Sequence, residues 1–522
     1  MMTLGDATAG RNAPKWNPFR RTTTRGKLTS TGIVGITAAL ALVAGACGSG
    51  GEDGASKSPD SNSSENSCPV DALDDITKPV DINVWHVQIG SPRIALEKIV
   101  DKYNASQDKV VVHAENQGTL NEQLKKFEDS MADPRSLPEI VQPDDTVTRF
   151  MADSGVAIPV SDCIEADPDS QAIYDDMLPI VKEAFSIDNV LWPGAFNAAG
   201  ASLFVNERQF EDAGLDPKTL PKTLDELRAT AEKLKAAKVK DAKGSEIDAP
   251  LVMRIDSWPL EYLISGADQP VVNEDNGRSG LATKAEYDNP VTLKVFEWVR
   301  DMHADGLLKY TDYNDQIAPF LAMASETSSM LIDSSSALST VDAAISGTIK
   351  PEDVGLEDGL DLSGFVFPDL RITVGELPGL TGPGRGQMGG TAWYLVDDED
   401  PAKIAAAWDF MKFFNQPEQQ VIWALEGSSL PVSKKATESP ELQKEWESTR
   451  LGQWMAITYK GFSSLNVDFP GPVIGPYKEF RQSVKNGVED MINKGEDPKT
   501  TIATINSELQ KSLDAYKADI GQ

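Results

Sequence analysis

Between residues 79 and 152 the chain alternates between two hydrophobic periods, and that alternation limits the folds open to it. Residues 81–87, DINVWHV, alternate apolar and polar side chains as a strand does. Ser91 is a candidate N-cap ahead of Ile94, Ala95, Leu96, Ile99 and Val100, which recur at helix spacing. Residues 109–114, KVVVHA, predict a second strand, and residues 121–131 a helix with Leu124 and Phe127 on one face. Residues 139–141 predict a short third strand, and 146–152 a further helix. This order predicts an α/β layer around a mostly parallel sheet. Ligands of such sheets sit beyond the carboxyl ends of the strands. Those ends are Trp85 and His86, residues 117–122, and residues 142–145.

Upstream, residues 31–47, TGIVGITAALALVAGAC, are apolar and follow Arg20, Arg21, Arg25 and Lys27. That is the charge, apolar-core and small-residue order of an export signal. The apolar run 33–46 is shorter than the roughly 20 residues a spanning helix needs. Ala44-Gly45-Ala46-Cys47 resembles a bacterial lipobox, with Ala44 where that motif most often has Leu. The resemblance implies a lipoprotein signal peptide at 1–46, lipid on Cys47, and anchoring at the extracytoplasmic face of the cell membrane. Residues 47–78, rich in Gly, Ser and acidic residues, read as a flexible tether. Once Cys47 is lipidated, Cys68 and Cys163 are the pair left in an oxidising compartment, and a disulfide between them is expected.

Composition excludes more than it selects. Asp and Glu number 81 against 49 Lys and Arg, a formal charge of -32 over 522 residues. Such a surface repels phosphate backbones, so no nucleic-acid partner is expected. His86, His113 and His303 have no ligand spacing, and the chain carries no CxxC, HExxH, P-loop or Gly-x-Ser-x-Gly motif, so neither a metal site nor a cofactor nor an enzyme is expected. The length after residue 78 suits two packed lobes.

The family signal lies in a collinear set of short motifs. Residues 202–206 read as a strand ending in Asn206, residues 207–213 as a short helix closed by Gly214, and Leu215-Asp216-Pro217 as a turn. Pro221 and Thr223 follow, Thr223 capping the helix LDELRATAEKLKAA. Later come Phe320-Leu321-Ala322, Ser329-Met330-Leu331-Ile332, Phe367-Pro368, Gly389-Gly390-Thr391-Ala392-Trp393, a helix over 402–414, and Ser429-Leu430-Pro431-Val432. Spread over residues 80–520, the set resembles the extracellular solute-binding proteins of ABC importers for sugars, with maltose-binding and glycerol-phosphate-binding relatives the most alike. The resemblance implies a two-lobed, type II periplasmic-binding-protein-like α/β fold, its parallel-sheet lobes joined by a hinge. One lobe is expected at 79–190 plus 384–440 and the other at 191–383 plus 441–520. It also implies a monomer that delivers a carbohydrate, a di- or oligosaccharide, to an ABC permease. The alternative solute is glycerol 3-phosphate or a glycerophosphodiester. Against that alternative, residues 466–472, comparable to a turn that carries Arg in the glycerol-phosphate relatives, have no Arg.

A sugar site pairs flat aromatic faces with acids, amides and hydroxyls. Trp258, after LVMRI, reads either as a ligand-facing ring or as a wedge between helices. Gly389 and Gly390 are expected as a turn at the cleft, and Trp393 either stacks on ligand or belongs to the core. In the first lobe the candidates are Trp85 and His86, then Asn121 or Glu122, then Asp144, with Asp145 as its alternative or as a helix cap. Tyr477 and Arg481 are weaker candidates whose alternative is an ordinary helix face.

Overall fold

The computed structural model describes residues 68–312, 318–351, 364 and 366–521. The expected signal peptide, Cys47 and most of the tether lie outside them. The predicted alternation folds into the first of two large sheets. Strands β1 (Val80–His86) and β2 (Val110–Asn116) pair in parallel register from Val80 opposite Val110 to His86 opposite Asn116. β3 (Ile140–Val141) lies parallel on the other side of β1, and β4 (Ala157–Ile158) is the far edge. A small hairpin, β5 (Ser186–Ile187) and β6 (Val190–Leu191), precedes β7 (Ala195–Ala199).

The second sheet begins at β8 (Ala201–Asn206) and takes in β9 (Leu251–Arg254), β10 (Leu308–Thr311), β11 (Met330–Ser334) and β12 (Ile372–Glu376), in the order β10-β9-β11-β8-β12. β13 (Gly389–Val396) then returns to the first sheet and pairs antiparallel with β3, β4 and β7. The sheets are therefore mixed rather than mostly parallel. Strands fed by right-handed helical crossovers run together, whereas one arriving from the other sheet is free to enter in the opposite sense.

The chain passes between the sheets at Gly200, again between β12 and β13, and a third time after the helix Pro417–Gly427, which packs on the first-sheet helix Gly90–Ser106. The helix Arg450–Ser463 lies against β12. The helices Tyr477–Lys494 and Pro498–Asp519 pack on each other and on Pro290–Ala304 beside the second sheet. The change of sheet falls at Gly200, between β7 and β8.

Local signals account for most helix starts. Thr223 accepts a hydrogen bond from the Glu226 amide, and Gly214 closes the short helix at φ +70°, a conformation a Cβ disfavours. Two starts differ from expectation. The first helix runs Gly90–Ser106 with Ile89, not Ser91, at its N-cap. Ala95, Leu96, Ile99 and Val100 are buried as expected, but Ile94 is 50% exposed because it falls off their face. Beyond β3, a 3-10 turn Asp145–Val147 precedes the helix Thr148–Asp153, and Asp144 rather than Asp145 is the cap, its side chain accepting from the Thr146 amide.

The first-sheet core is aromatic. Trp393 and Phe414 lie with centroids 4.6 Å apart, and Trp423 packs edge-on to both. Cys68 and Cys163 form the expected disulfide. It ties the turn Val70–Leu73, ahead of the amino end of β1, to the helix Val160–Ala166. The bond thus sits at the opposite end of the sheet from the carboxyl ends of β1 and β2.

Candidate functional site

The carboxyl ends of the first-sheet strands face elements of the second sheet across a cleft that holds a cavity of about 490 Å³. This is within the range of small-molecule sites. The loop after β1, from Val87 to Pro92, forms one wall with Ser428 and Ser429. The opposite wall contains Arg254 at the end of β9, Asp333 near the end of β11, and Ser335, where the next helical turn begins. Asn197, on β7 beside the Gly200 crossing, also lines the cavity.

The electrostatics of this cavity favour a polar solute with an anionic part. The helix Gly90–Ser106 begins at its wall, and Ile89 at the N-cap offers no side-chain oxygen to the first-turn amides. Pro92 in this turn has no N–H, so the amides of Gly90 and Ser91 and the positive end of the helix dipole are what suit an anion here. Arg254 is half-buried and lies 3.6 Å from the Asp256 carboxylate. Asp333 lies near it; burial pushes its carboxyl above the usual range, only partly opposed by Arg254 and the Ser334 amide.

Next to this cavity the two lobes meet in a second, filled polar region. Arg481 Nε donates to Glu261 Oε1 at 3.1 Å, and its Nη1 lies 3.4 Å from Asp145 and 3.6 Å from Asp144. Tyr477 Oη and Gln387 Nε2 each donate to Glu261 Oε2 at 2.9 Å. Arg481, Tyr477 and Glu261 belong to helices beside the second sheet, and Asp144 and Asp145 follow β3 of the first. Burial opposes charge here, but Arg481 and the Thr146 amide outweigh it at Asp144 and hold that carboxyl below its usual range. At Asp145 burial wins, reinforced by the charge of Asp144 against the pull of Arg481, and the group is pushed well up. With three carboxyl groups around it, the Arg481 guanidinium is already engaged.

The residues expected from sequence divide between these places. Asp144, Tyr477 and Arg481 do converge, on one another. Trp258 sits near them with its ring over Gly389, where an added Cβ would come within 3.0 Å of the indole. Its Nε1 is buried without a partner. Gly389 and Gly390 are not a turn but the first residues of β13. Gly390, at φ +121°, lies so close to β7 that a Cβ would stand 2.0 Å from the Asn197 carbonyl oxygen. Trp393 has no exposed surface and belongs to the aromatic core.

Trp85 is buried beneath Lys126 Nζ, 3.8 Å from its ring centroid. His86 is also buried, its Nδ1 accepting from the Gln88 amide. Burial, helped by Arg93, pulls its pKa down to about 4, so it is neutral at pH 7. Glu122 forms a capping box with Thr119, and Asn121 is exposed in the same first helical turn. None of these lines the cavity, although Leu120 beside Asn121 and the loop after His86 do. Sequence reasoning missed Gln88, Asn197, Arg254, Asp333, Ser335 and Ser429. Arg254 and Asp333 carried a legible signal, since they stand at or near the carboxyl ends of LVMR and MLIDS, the rule applied above only to the first lobe.

The profile of the bacterial extracellular solute-binding protein family matches residues 98–449. The chain belongs to this family. As a solute-binding protein it is a non-catalytic receptor that takes up a small polar solute outside the cytoplasm and serves an ABC import permease. Among its relatives is the sn-glycerol-3-phosphate-binding periplasmic protein UgpB of Yersinia pseudotuberculosis, 22% identical over 376 residues, which cover 70% of this chain and 77% of that one. Two solved structures share the fold. The cyclic α-maltosyl-1,6-maltose binding protein of Arthrobacter globiformis aligns with a TM-score of 0.66 at 19% identity, covering 84% of this chain and 100% of that one. UgpB of Mycobacterium tuberculosis in complex with glycerophosphocholine aligns at 0.64 and 15%, covering 84% and 99%.

Proposed function

We propose that this receptor captures glycerol 3-phosphate or a glycerophosphodiester between its lobes and delivers it to an ABC permease from a lipid anchor at Cys47. The observation that carries the choice of solute is Arg254, which lines the cavity opposite the uncapped start of the helix Gly90–Ser106. A phosphate takes charge-assisted hydrogen bonds from a guanidinium and from helix-terminal amides. Asp333, Asn197 and Ser335 supply acceptors and donors for the glycerol hydroxyls. The absence of Arg from residues 466–472 no longer weighs against a phosphate, because Arg254 supplies the cation from another element.

A di- or oligosaccharide is the second reading. It is favoured by likeness to sugar-binding structures such as that from Arthrobacter globiformis. Against it, the described lining offers a pyranose the phenyl rings of Phe320 and Phe367 but no indole. The change of sheet at Gly200, the segment between β12 and β13, and the segment after the helix Pro417–Gly427 serve as the hinge in this account. A solute gripped from both sides binds the closed form better, and only that difference shifts the population. Calorimetry against sn-glycerol 3-phosphate, glycerophosphocholine and maltose tests the choice. Binding of either phosphate compound, weakened at least about tenfold in Arg254→Gln by loss of a charged hydrogen bond, supports it. Tight binding of maltose with none of either phosphate compound overturns it.

A further inference from the structure

The same cavity carries an apolar wall that a small polyol phosphate leaves unused. Among the described residues Arg254 and Asp333 are the charged ones of its lining, and they stand together at the ends of neighbouring strands β9 and β11. Much of the rest of the second-lobe side is hydrophobic. Phe320 and Met323 come from the helix Ala318–Ala324, Val341 from Leu338–Ser346, and Phe367 and Leu370 from the segment leading into β12. The rim is apolar as well. Among the described residues five large hydrophobic side chains are well exposed, and two of them, Ile89 at 48% and Leu321 at 40%, line this cavity, one from each lobe. Hydroxyl partners on this side are confined to Ser335, Ser336, Ser339 and Thr340, so a hydroxyl laid against Phe320, Met323, Phe367 and Leu370 would exchange water for hydrocarbon. An apolar substituent there would be removed from water on contact with several of these side chains.

We infer that the solute is amphiphilic: a glycerophosphodiester whose second alcohol carries a short alkyl or comparable apolar group, with the phosphate at Arg254 and the apolar group between the helices Ala318–Ala324 and Leu338–Ser346. The inference rests on the reading of the cleft as the solute site, and it names the part of the solute which that reading leaves open. A cavity of about 490 Å³ has room for both parts.

The test is calorimetric titration of the full protein with two homologous series, each compared with its own parent. One consists of glycero-3-phosphoalkanols with ethyl, butyl and hexyl groups, compared with the methyl diester of the same charge; the other of alkyl maltosides of the same lengths, compared with methyl maltoside. The phosphate series should gain about fourfold in affinity per methylene until the wall is covered, the factor equivalent to burying one CH₂. The ratio of hexyl to parent affinity should fall severalfold in Leu321→Gln, an exposed position where folding is not at risk, and in Val341→Thr, which keeps the shape. Chain-length gain confined to the maltoside series would overturn the phosphate assignment and keep the apolar subsite. Binding of the methyl diester with no gain along its series would overturn the apolar subsite and keep the phosphate assignment. No binding in either series would overturn both.

Discussion

Replacing Arg481 by Gln tests whether the filled polar region is a clasp between lobes or part of the solute site. The guanidinium holds Glu261, whose side chain is 1% exposed, and reaches Asp145 and Asp144 at 3.4 and 3.6 Å, with exposures of 14% and 31%. Removing one member of a buried charged cluster costs about 3–5 kcal/mol, because the partners stay buried without it. Glu261 keeps its hydrogen bonds from Tyr477 and Gln387, so the lower end, about 3 kcal/mol, is expected for global stability. Only the contacts to Asp144 and Asp145 join elements of different sheets. They are long and partly solvated, so about 1 kcal/mol of the loss should fall on lobe closure. That amount weakens solute affinity about fivefold. Urea unfolding gives the first quantity, calorimetry the second, and small-angle scattering of the apo protein should show a larger radius in the variant. A stability change under about 1 kcal/mol together with a hundredfold or greater loss of affinity would refute the clasp and place Arg481 against the solute.

Two further outcomes follow from the fold. Substituting both Cys68→Ala and Cys163→Ala reopens a loop spanning 95 residues, for which chain entropy predicts a loss of at most about 4.7 kcal/mol; urea midpoints should fall while solute affinity stays within twofold, and an unchanged midpoint would contradict the entropic account. Because the His86 pKa is depressed from 6.5 to about 4, the unfolded chain binds a proton that the folded one refuses. Stability should therefore decline as pH falls from about 6.5 to 4, by up to about 3 kcal/mol from this residue. In His86→Gln that part of the slope should vanish; a slope unaltered by the substitution assigns the acid sensitivity to other groups.

How much of this was legible depended on whether the signal was local. Strand and helix periods, the Thr223 cap and the Gly214 turn are written in neighbouring residues, and the structure follows them within a residue or two. The disulfide was legible from cysteine arithmetic. What sequence could not supply was the partner of each candidate side chain. Glu122 has the same appearance in the chain whether it meets a solute or closes a capping box with Thr119. Gly389 and Gly390 suggest a turn, yet their lack of Cβ serves the packing of Trp258 and the Asn197 carbonyl. Trp393 is a candidate stacking ring until Phe414 and Trp423, far along the chain, close around it. Asp144 and Arg481 were named separately, and only the fold brings them to 3.6 Å.

Whether the solute's phosphate lies at Arg254 between the lobes is decided by a crystal structure of the protein with glycerophosphocholine. Phosphate oxygens are expected within hydrogen-bond distance of the Arg254 guanidinium and of amides at the start of the helix Gly90–Ser106, with the Arg481, Glu261 and Asp145 contacts intact. Glycerophosphocholine seated against Trp258 with those contacts broken, and the cavity beside Arg254 left to water, would contradict this placement.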